Sequence, residues 1–442
     1  MSMTDPLNAG ARTSRADRWL RVFGDVQPGE GGRAALLLGN LFVLLVAYYL
    51  LKTVREPLVL ASGGAELRSY AAAAQAALLL GLVPAYARLA GRADRARLIA
   101  VVTTGFLLSL EFLAGAVAFA LPYVGVVFYI WVGIFSLVMI AQFWSFANDL
   151  YGPDSGERLF PVIAIGATAG SPVGAWVAGL LFRSGLSAAA ILQVAAGLLV
   201  VHLLTYRMTE RSPRQPRTGQ ERGALPGPNG FVLLLRNPYL LAMAALLLCL
   251  NLVNTTGEYI IGSLIVDAAD AAARLDPGLD RGAFIGSFYG NYFFWVNIVA
   301  VAVQAFLVSR VVRQAGLAGA ILVLPVVALG AYGLVALGAG FSVIRWAKTA
   351  ENASDYSIMN TVRQLLWLPT DRQEKYKAKQ AVDTFVVRLG DMIAAGAVFV
   401  GTTWAGLGVR GFAAINLVVI VGWLVVAIAL ARMYRRRCAD CP

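Results

Sequence analysis

The stretch YYLLKTVREPLVL, residues 48–60, places Lys52, Arg55 and Glu56 between two strongly apolar runs. Two readings are open. Either a membrane-crossing helix ends at Lys52, or the helix continues and something buried holds the charges. The three residues stand at i, i+3 and i+4, so they share one helical face. Pro57 can kink or end a helix there. Counted from Arg33, the charges fall in the outer third of a span, where long side chains reach the interface. Both readings therefore stay open on this stretch alone.

The rest of the chain fixes the setting. Hydrophobic residues make up 59% of 442 positions, charged residues 14%, and mean hydropathy is +0.69. Soluble domains run nearer about 45–50% apolar and about 25% charged. Apolar segments recur at 34–60, 67–90, 98–121, 123–150, 159–182, 187–206, 233–266, 283–309, 317–339, 341–366, 380–406 and 411–431. Each is close to or above the ~20 residues that cross ~30 Å of hydrocarbon. The expectation is an all-α polytopic membrane protein with twelve transmembrane helices. The split between the third and fourth rests on Pro122. The N-terminus has no apolar run before a cleavage site, so no secretory signal is expected.

An even span number puts both ends on one side. The side holding the tails then carries 27 Lys and Arg residues. The opposite loops carry five, namely Arg68, Arg183, Arg274, Arg281 and Arg410. That asymmetry makes both termini cytoplasmic. It also explains the net charge of +12 without nucleic acid as a partner. The Ala- and Arg-rich composition suggests a bacterial inner membrane. The Pro-, Gly- and Arg-rich segment 207–232 divides the chain, giving an N-terminal tail (1–32), a six-helix half (33–206), a cytoplasmic linker (207–232), a second six-helix half (233–434) and a short tail (435–442). The basic stretches ARLAGRADRARLI and SRVVRQAGLAGAI occupy corresponding places in the two halves. The first resembles the basic loop between helices two and three of the major facilitator superfamily. That resemblance implies two halves around a midplane site.

Several motifs exclude chemistry. GLGVRG (406–411) matches G-x-G-x-x-G but follows no strand, so it is no dinucleotide site. No Lys follows a Gly anywhere, so there is no Walker A loop and no sign of ATP hydrolysis. CADC (438–441) cannot complete a four-ligand zinc site alone. His202, the sole histidine, reads as an interfacial residue. No enzyme activity, cofactor or metal is expected. In the fifth span, Gly166, Gly170 and Gly174 repeat every fourth residue, which allows close helix approach by packing or by a rocking interface.

Intramembrane charges point to function. In FSVIRWAKTAENASDYSIMNTVRQLL (341–366), a helical period places Arg345, Lys348, Asn352, Tyr356, Met359 and Arg363 on one stripe. The stripe would be about 27 Å long at 1.5 Å per residue. Such a stripe suits a water-filled path; snorkelling explains its two ends but not Lys348. Glu351 lies about 120° off it by the same period. Further candidates are Asn148 and Asp149, Asn254 and Glu258, and the i, i+3 pair Arg388 and Asp391.

Four patches of sequence are similar to the ATP/ADP translocases, nucleotide transporters of plastids and obligate intracellular bacteria. That family is a divergent branch of the major facilitator superfamily. The patches are LLKTVREPLVLASGGAEL, FWSFANDLYGPDSGERLFPVIAIGATAG, NLVNTTGEY and DYSIMNTVRQLLWLPTDRQEKYKAKQAVD. The resemblance runs from about Tyr49 to Leu424. It implies that Arg55 and Arg363 stand where the family has functional lysines, and that Asp149 lies close to an acidic position. Asn254 falls where an acidic residue is expected, and Glu258 sits one turn further on. The resemblance implies a secondary transporter exchanging nucleotides or a related phosphorylated anion. Lys52, Arg55, Arg345, Lys348, Tyr356 and Arg363 would bind substrate. Glu56, Asn148, Asp149, Asn254, Glu258 and Glu351 would gate or balance charge. The expected partners are a small anionic substrate and the bilayer, with the chain a monomer. A proton-coupled exporter of another solute is the alternative, with Glu56, Glu258 or Glu351 as proton carrier. A non-transporting membrane component would instead pack the stripe dry.

Overall fold

A computed structural model describes residues 14–90, 95–210, 230–371, 374 and 378–439. The described residues form helices and connecting turns, without a strand. The helices are α1 (Arg15–Leu20), α2 (Gly31–Ala90), α3 (Arg95–Ala118), α4 (Val124–Leu150), α5 (Pro153–Arg183), α6 (Ala188–Glu210), α7 (Gly230–Arg236), α8 (Pro238–Leu275), α9 (Arg281–Phe306), α10 (Val308–Ala336), α11 (Phe341–Ser354), α12 (Asn360–Leu365), α13 (Lys379–Ala381), α14 (Val387–Thr403) and α15 (Val409–Ala439). π-Helical turns at Asp355–Met359 and Val382–Val386 join α11 to α12 and α13 to α14.

Among the described residues, nine helices are long and apolar enough to cross a membrane. α2 alone runs 60 residues, but Gly63 and Gly64 leave helical geometry and fold it into two arms. Gly64 sits at φ 68°, a conformation that only glycine adopts cheaply. The segments 341–365 and 378–403 each continue across a π-helical turn and are long enough for a further span. The described residues are thus consistent with twelve crossings. Pro122 lies in the turn between α3 and α4, as expected. α5 starts at Pro153, earlier than the sequence pattern placed it, so Arg158 is helical. Its guanidinium lies 3.0 Å from Glu30. The middle of the 207–232 linker and Cys441 lie outside the described residues.

α2 packs against α4, α5 and α6, while α15 packs against α8 and α10. The two groups meet where α5 meets α9, and where α2 meets α8, α9 and α14. The glycine row of α5 turns toward α2. A Cβ at Gly166, Gly170 or Gly174 would collide with the backbone carbonyl of Leu38, Phe42 or Val46. The row therefore serves close packing within the first group. Beyond it, Gly179 of α5 touches Gly290 of α9, where side chains would hold the groups apart.

The chain enters α2 through a polar cap. Asp17 is fully buried and accepts from the amides of Ser14, Gly29 and Gly31 at 2.6, 3.1 and 2.7 Å. These bonds satisfy donors that the start of a helix leaves open. Burial pushes the Asp17 carboxyl up, but the backbone bonds outweigh it and hold the group below its ordinary value.

Candidate functional site

α2 does not end at Lys52. It continues through Pro57 to the Gly63 break, so Lys52, Arg55 and Glu56 lie inside a helix. Glu56 is completely buried. One carboxylate oxygen takes the Arg55 guanidinium, with Nε at 3.0 Å, and the other takes Arg68 Nε at 2.6 Å. Arg68 belongs to the second arm of α2, four residues past the break. Its Nη2 reaches Glu258 of α8 at 2.8 Å. The other oxygen of Glu258 accepts from Asn352 Nδ2 at 3.1 Å, and Asn352 also donates to the Tyr292 hydroxyl at 2.9 Å. One ionic chain thus joins both arms of α2 to α8, α9 and α11. Both carboxylates of this chain, Glu56 buried and Glu258 half-buried, have two donors, the condition under which such ion pairs are tolerated.

Arg68 is the main correction to the sequence reading, which placed it in an external loop. It is 5% exposed and bonded to two carboxylates. The Gly63–Gly64 break folds the second arm back against the first, bringing Arg68 level with Glu56. Removing Arg68 from the loop count sharpens the charge asymmetry.

Beside the ionic chain lies a cavity of about 240 Å³. Its charged lining is Lys52, Arg55, Arg68, Glu258 and Asp391, and its aromatic lining is Tyr48, Tyr129, Phe293 and Tyr356. Asn254 and Gln75 also face it. Asp391 is balanced from behind by Arg388 at 3.6 Å and accepts from Thr255 at 2.9 Å. Arg55 lies 4.2 Å from the Tyr129 ring centre. Lys52 differs from the other cations. Its Nζ sits 4.4 Å from the ring centre of Phe293, 5.1 Å from Tyr49 and 5.9 Å from Tyr356. Among the described residues it has no carboxylate within ion-pair distance. Aromatic faces stabilise an ammonium only partly, so Lys52 brings an uncompensated positive charge to the cavity.

The continuous stripe expected on 341–366 is not formed. Lys348 is buried and paired with Glu351 at 3.0 Å, with Asn254 Oδ1 at 3.2 Å and the Tyr332 hydroxyl at 3.4 Å. That cluster is buried between α8, α10 and α11. The period then breaks. The π-helical turn Asp355–Met359 adds one residue to the turn and rotates the later residues by about 100° relative to an unbroken helix. Met359 becomes fully buried. Arg363 is carried to Asp383, 3.9 Å away and off the cavity. Of the stripe, only Tyr356 lines the cavity. Arg345 bonds Asn291 and lies 5.7 Å from the Phe288 ring and 5.4 Å from Trp346. Asn148, exposed, and Asp149, half-buried, stand at the end of α4, away from the cavity lining.

The expected residues that meet at the cavity are therefore Lys52, Arg55, Tyr356, Asn254, Glu258 and Asp391, with Glu56 behind them. Arg68, Gln75 and Tyr129 were missed. The only sequence signal for them was the SGGAELRSY stretch, where a Gly-Gly break followed by an arginine hints at a returning helix.

The cross-group contacts run from the level of Tyr49 to the Gly63 end of the molecule. They include Tyr49 to Asn297 at 3.0 Å, Tyr70 against Phe399, Arg68 to Glu258, and Gly179 against Gly290. That end of the cavity is closed.

Comparison with known proteins gives a consistent picture. No family model matches the chain. In sequence it is similar to "ADP,ATP carrier protein 1" of Chlamydia trachomatis (24% identity over 60% of this chain) and of Chlamydia pneumoniae (24% over 73%). The chain spans 56% of the first relative and 70% of the second. In structure it is similar to the nucleoside transporter NupG, with TM-score 0.65 and 14% identity over 91% of this chain and 99% of that one. It is also similar to a bacterial homologue of the human lysosomal transporter Spinster in an inward-facing, unoccupied conformation, with TM-score 0.60 and 14% identity over 92% and 98%. An auto-inhibited POT family peptide transporter gives TM-score 0.61 at 10% identity over 92% and 97%. The chain is a multi-span membrane protein with the fold of the major-facilitator transporters and a sequence that resembles the ADP,ATP carrier proteins.

Proposed function

We propose that this protein is a secondary transporter that exchanges nucleotides, of the ATP/ADP type, or a closely related phosphorylated anion. The observation that carries this reading is Lys52, a cation held over three rings beside Arg55 with no carboxylate of its own among the described residues. A phosphate would complete it. Arg55 uses Nε and Nη2 on Glu56, which leaves Nη1 for a second phosphate oxygen. Tyr48 and Tyr356 offer further aromatic surface for a nucleobase. The sequence likeness to the ADP,ATP carrier proteins supports the same substrate class.

Transport proceeds by alternating access of two six-helix halves, 33–206 and 233–434. The Arg68–Glu258 pair closes the extracytoplasmic side in the conformation described, and Glu56 holds Arg68 in place. Glu351 balances Lys348 and keeps that cluster structural. The substrate gradient supplies the driving force, without hydrolysis or a cofactor. Lys and Arg asymmetry supports cytoplasmic termini, and a bacterial inner membrane is the setting. The chain acts as a monomer.

Uptake of labelled ATP, ADP and phosphate into proteoliposomes, with and without internal counter-substrate, tests this. ATP uptake stimulated by internal ADP is the expected result. Folded protein that moves no nucleotide overturns the proposal, and pH-driven uptake of a different solute would establish the proton-coupled alternative. Arg363→Ala adds a further test. Loss of uptake there, with Arg410→Ala unaffected, would bring Arg363 to the substrate in another conformation.

A further inference from the structure

Gln75 lines the cavity but belongs neither to the ionic chain nor to the cations that would hold phosphate. It lies on the second arm of α2, seven residues past Arg68, about 10 Å along the helix axis. Ser69 and Ala72 share its face and leave open space between them and the Arg68–Glu258 pair. Because the two arms run antiparallel, Gln75 comes level with Tyr48 and Tyr49, below Lys52 and Arg55. Its amide rests in a notch on α4 made by Gly133, where a Cβ would collide with the Gln75 amide. Gly133 sits one helical turn beyond Tyr129, whose ring already carries Arg55. Gln75 Oε1 is buried and has no hydrogen-bond partner. An unpaired buried amide oxygen is costly and calls for an explanation.

We infer that the Gln75 amide in the Gly133 notch is the nucleobase subsite of this cavity. The inference rests on the nucleotide reading above and deepens it. A primary amide offers one acceptor and two donors on a planar frame. It pairs side by side with a ring edge that presents a donor next to an acceptor, as glutamine does with adenine. Among the described residues no hydrogen bond holds this amide, which leaves it free to turn toward a ligand. The amide fills the Gly133 notch on one side, and the small residues Ser69 and Ala72 leave its cavity side open to the edge of a planar heterocycle. Phosphates at Lys52 and Arg55 would lie about one to two helical turns from the amide, a separation of about 5–10 Å. That spacing suits the span from a nucleotide's phosphates to its base.

Affinities of the purified full-length protein for ATP and for tripolyphosphate, read by titration calorimetry, test the inference. Tripolyphosphate keeps the charge and lacks the base. The unaltered protein is expected to bind ATP more tightly. Gln75→Met, similar in size but without the amide, is expected to weaken ATP about tenfold and leave tripolyphosphate unchanged. Gly133→Ala, which displaces the amide, is expected to produce the same selective loss. Lys52→Gln should weaken both ligands together. Equal weakening of both ligands by Gln75→Met, no change in either, or no preference for ATP in the unaltered protein each overturns the subsite while leaving the phosphate site standing. Failure to bind either ligand overturns the nucleotide reading itself.

Discussion

Replacing Glu258 by Gln should open the closed end of the cavity. The substitution keeps size and keeps an oxygen to accept from Asn352 Nδ2, now 3.1 Å away. Arg68 keeps Glu56 at 2.6 Å. The change removes the charge from the 2.8 Å contact between Arg68 and Glu258, whose side chains are 6% and 16% exposed. A charge-assisted hydrogen bond of that kind contributes about 1.5–3 kcal/mol. Because the pair joins two groups of helices that must separate to open this end, the loss acts on the closed state alone. The ratio of open to closed should then rise about 10- to 150-fold. Ala65 makes a suitable reporter. It is buried, and its Cβ lies 3.3 Å from where a Gly262 Cβ would stand. In a chain with Cys249, Cys438 and Cys441 replaced, Ala65→Cys should react slowly with an impermeant maleimide. Adding Glu258→Gln should accelerate labelling at least about tenfold. A double-mutant cycle with Arg68→Met guards against indirect effects, since residues in contact give non-additive changes. Unchanged labelling, or strict additivity in the cycle, would refute the closing role of the Arg68–Glu258 pair.

Three further outcomes are expected from the geometry. Lys52→Met should weaken ATP binding about 10- to 100-fold. It should leave the unliganded melting temperature nearly unchanged, because no carboxylate is orphaned; a large drop in stability would show that Lys52 is structural. Gly290→Leu should destabilise the protein by about 1–3 kcal/mol through overpacking. The new side chain would meet the Gly179 backbone, and thermal unfolding in detergent reads the effect. Asp17 has its carboxyl lowered by backbone donors, so its stabilising contribution is present above the ordinary carboxylate range and is lost as pH falls through the lowered folded value. Hydrogen exchange at the Gly29 and Gly31 amides, corrected for intrinsic pH dependence, should speed up in acid. It should be fast at every pH in Asp17→Ala, which removes both acceptor oxygens, and equal protection in that variant would refute the role of the cap.

The ion-pair geometry also bears on which charges can reach a ligand. Lys348 and Lys52 look alike as intramembrane lysines. Lys348 is matched by Glu351 and walled by Tyr332, so its charge is spent inside the fold. Lys52 has rings around it and no matching carboxylate among the described residues. Burial in a low dielectric makes each unmatched charge expensive, and the fold places that cost where a cavity exists to relieve it.

The sequence alone determined the class of fold. Long apolar runs, few charges and a lopsided distribution of Lys and Arg are properties of segments, and the bilayer reads segments one at a time. It also determined that Lys52, Arg55 and Glu56 share a face and that Glu258 belongs with charge chemistry, because helical periodicity is local. Tertiary structure decided which charges meet. A 60-residue helix folds at Gly63 and Gly64, and only that return brings Arg68 between Glu56 and Glu258, residues 12 and 190 positions away. A π-helical turn at Asp355–Met359 breaks the period that had joined Lys348 to Arg363. One extra residue in a turn is invisible in composition yet rotates everything after it, since a helix carries its angular register forward from each residue to the next.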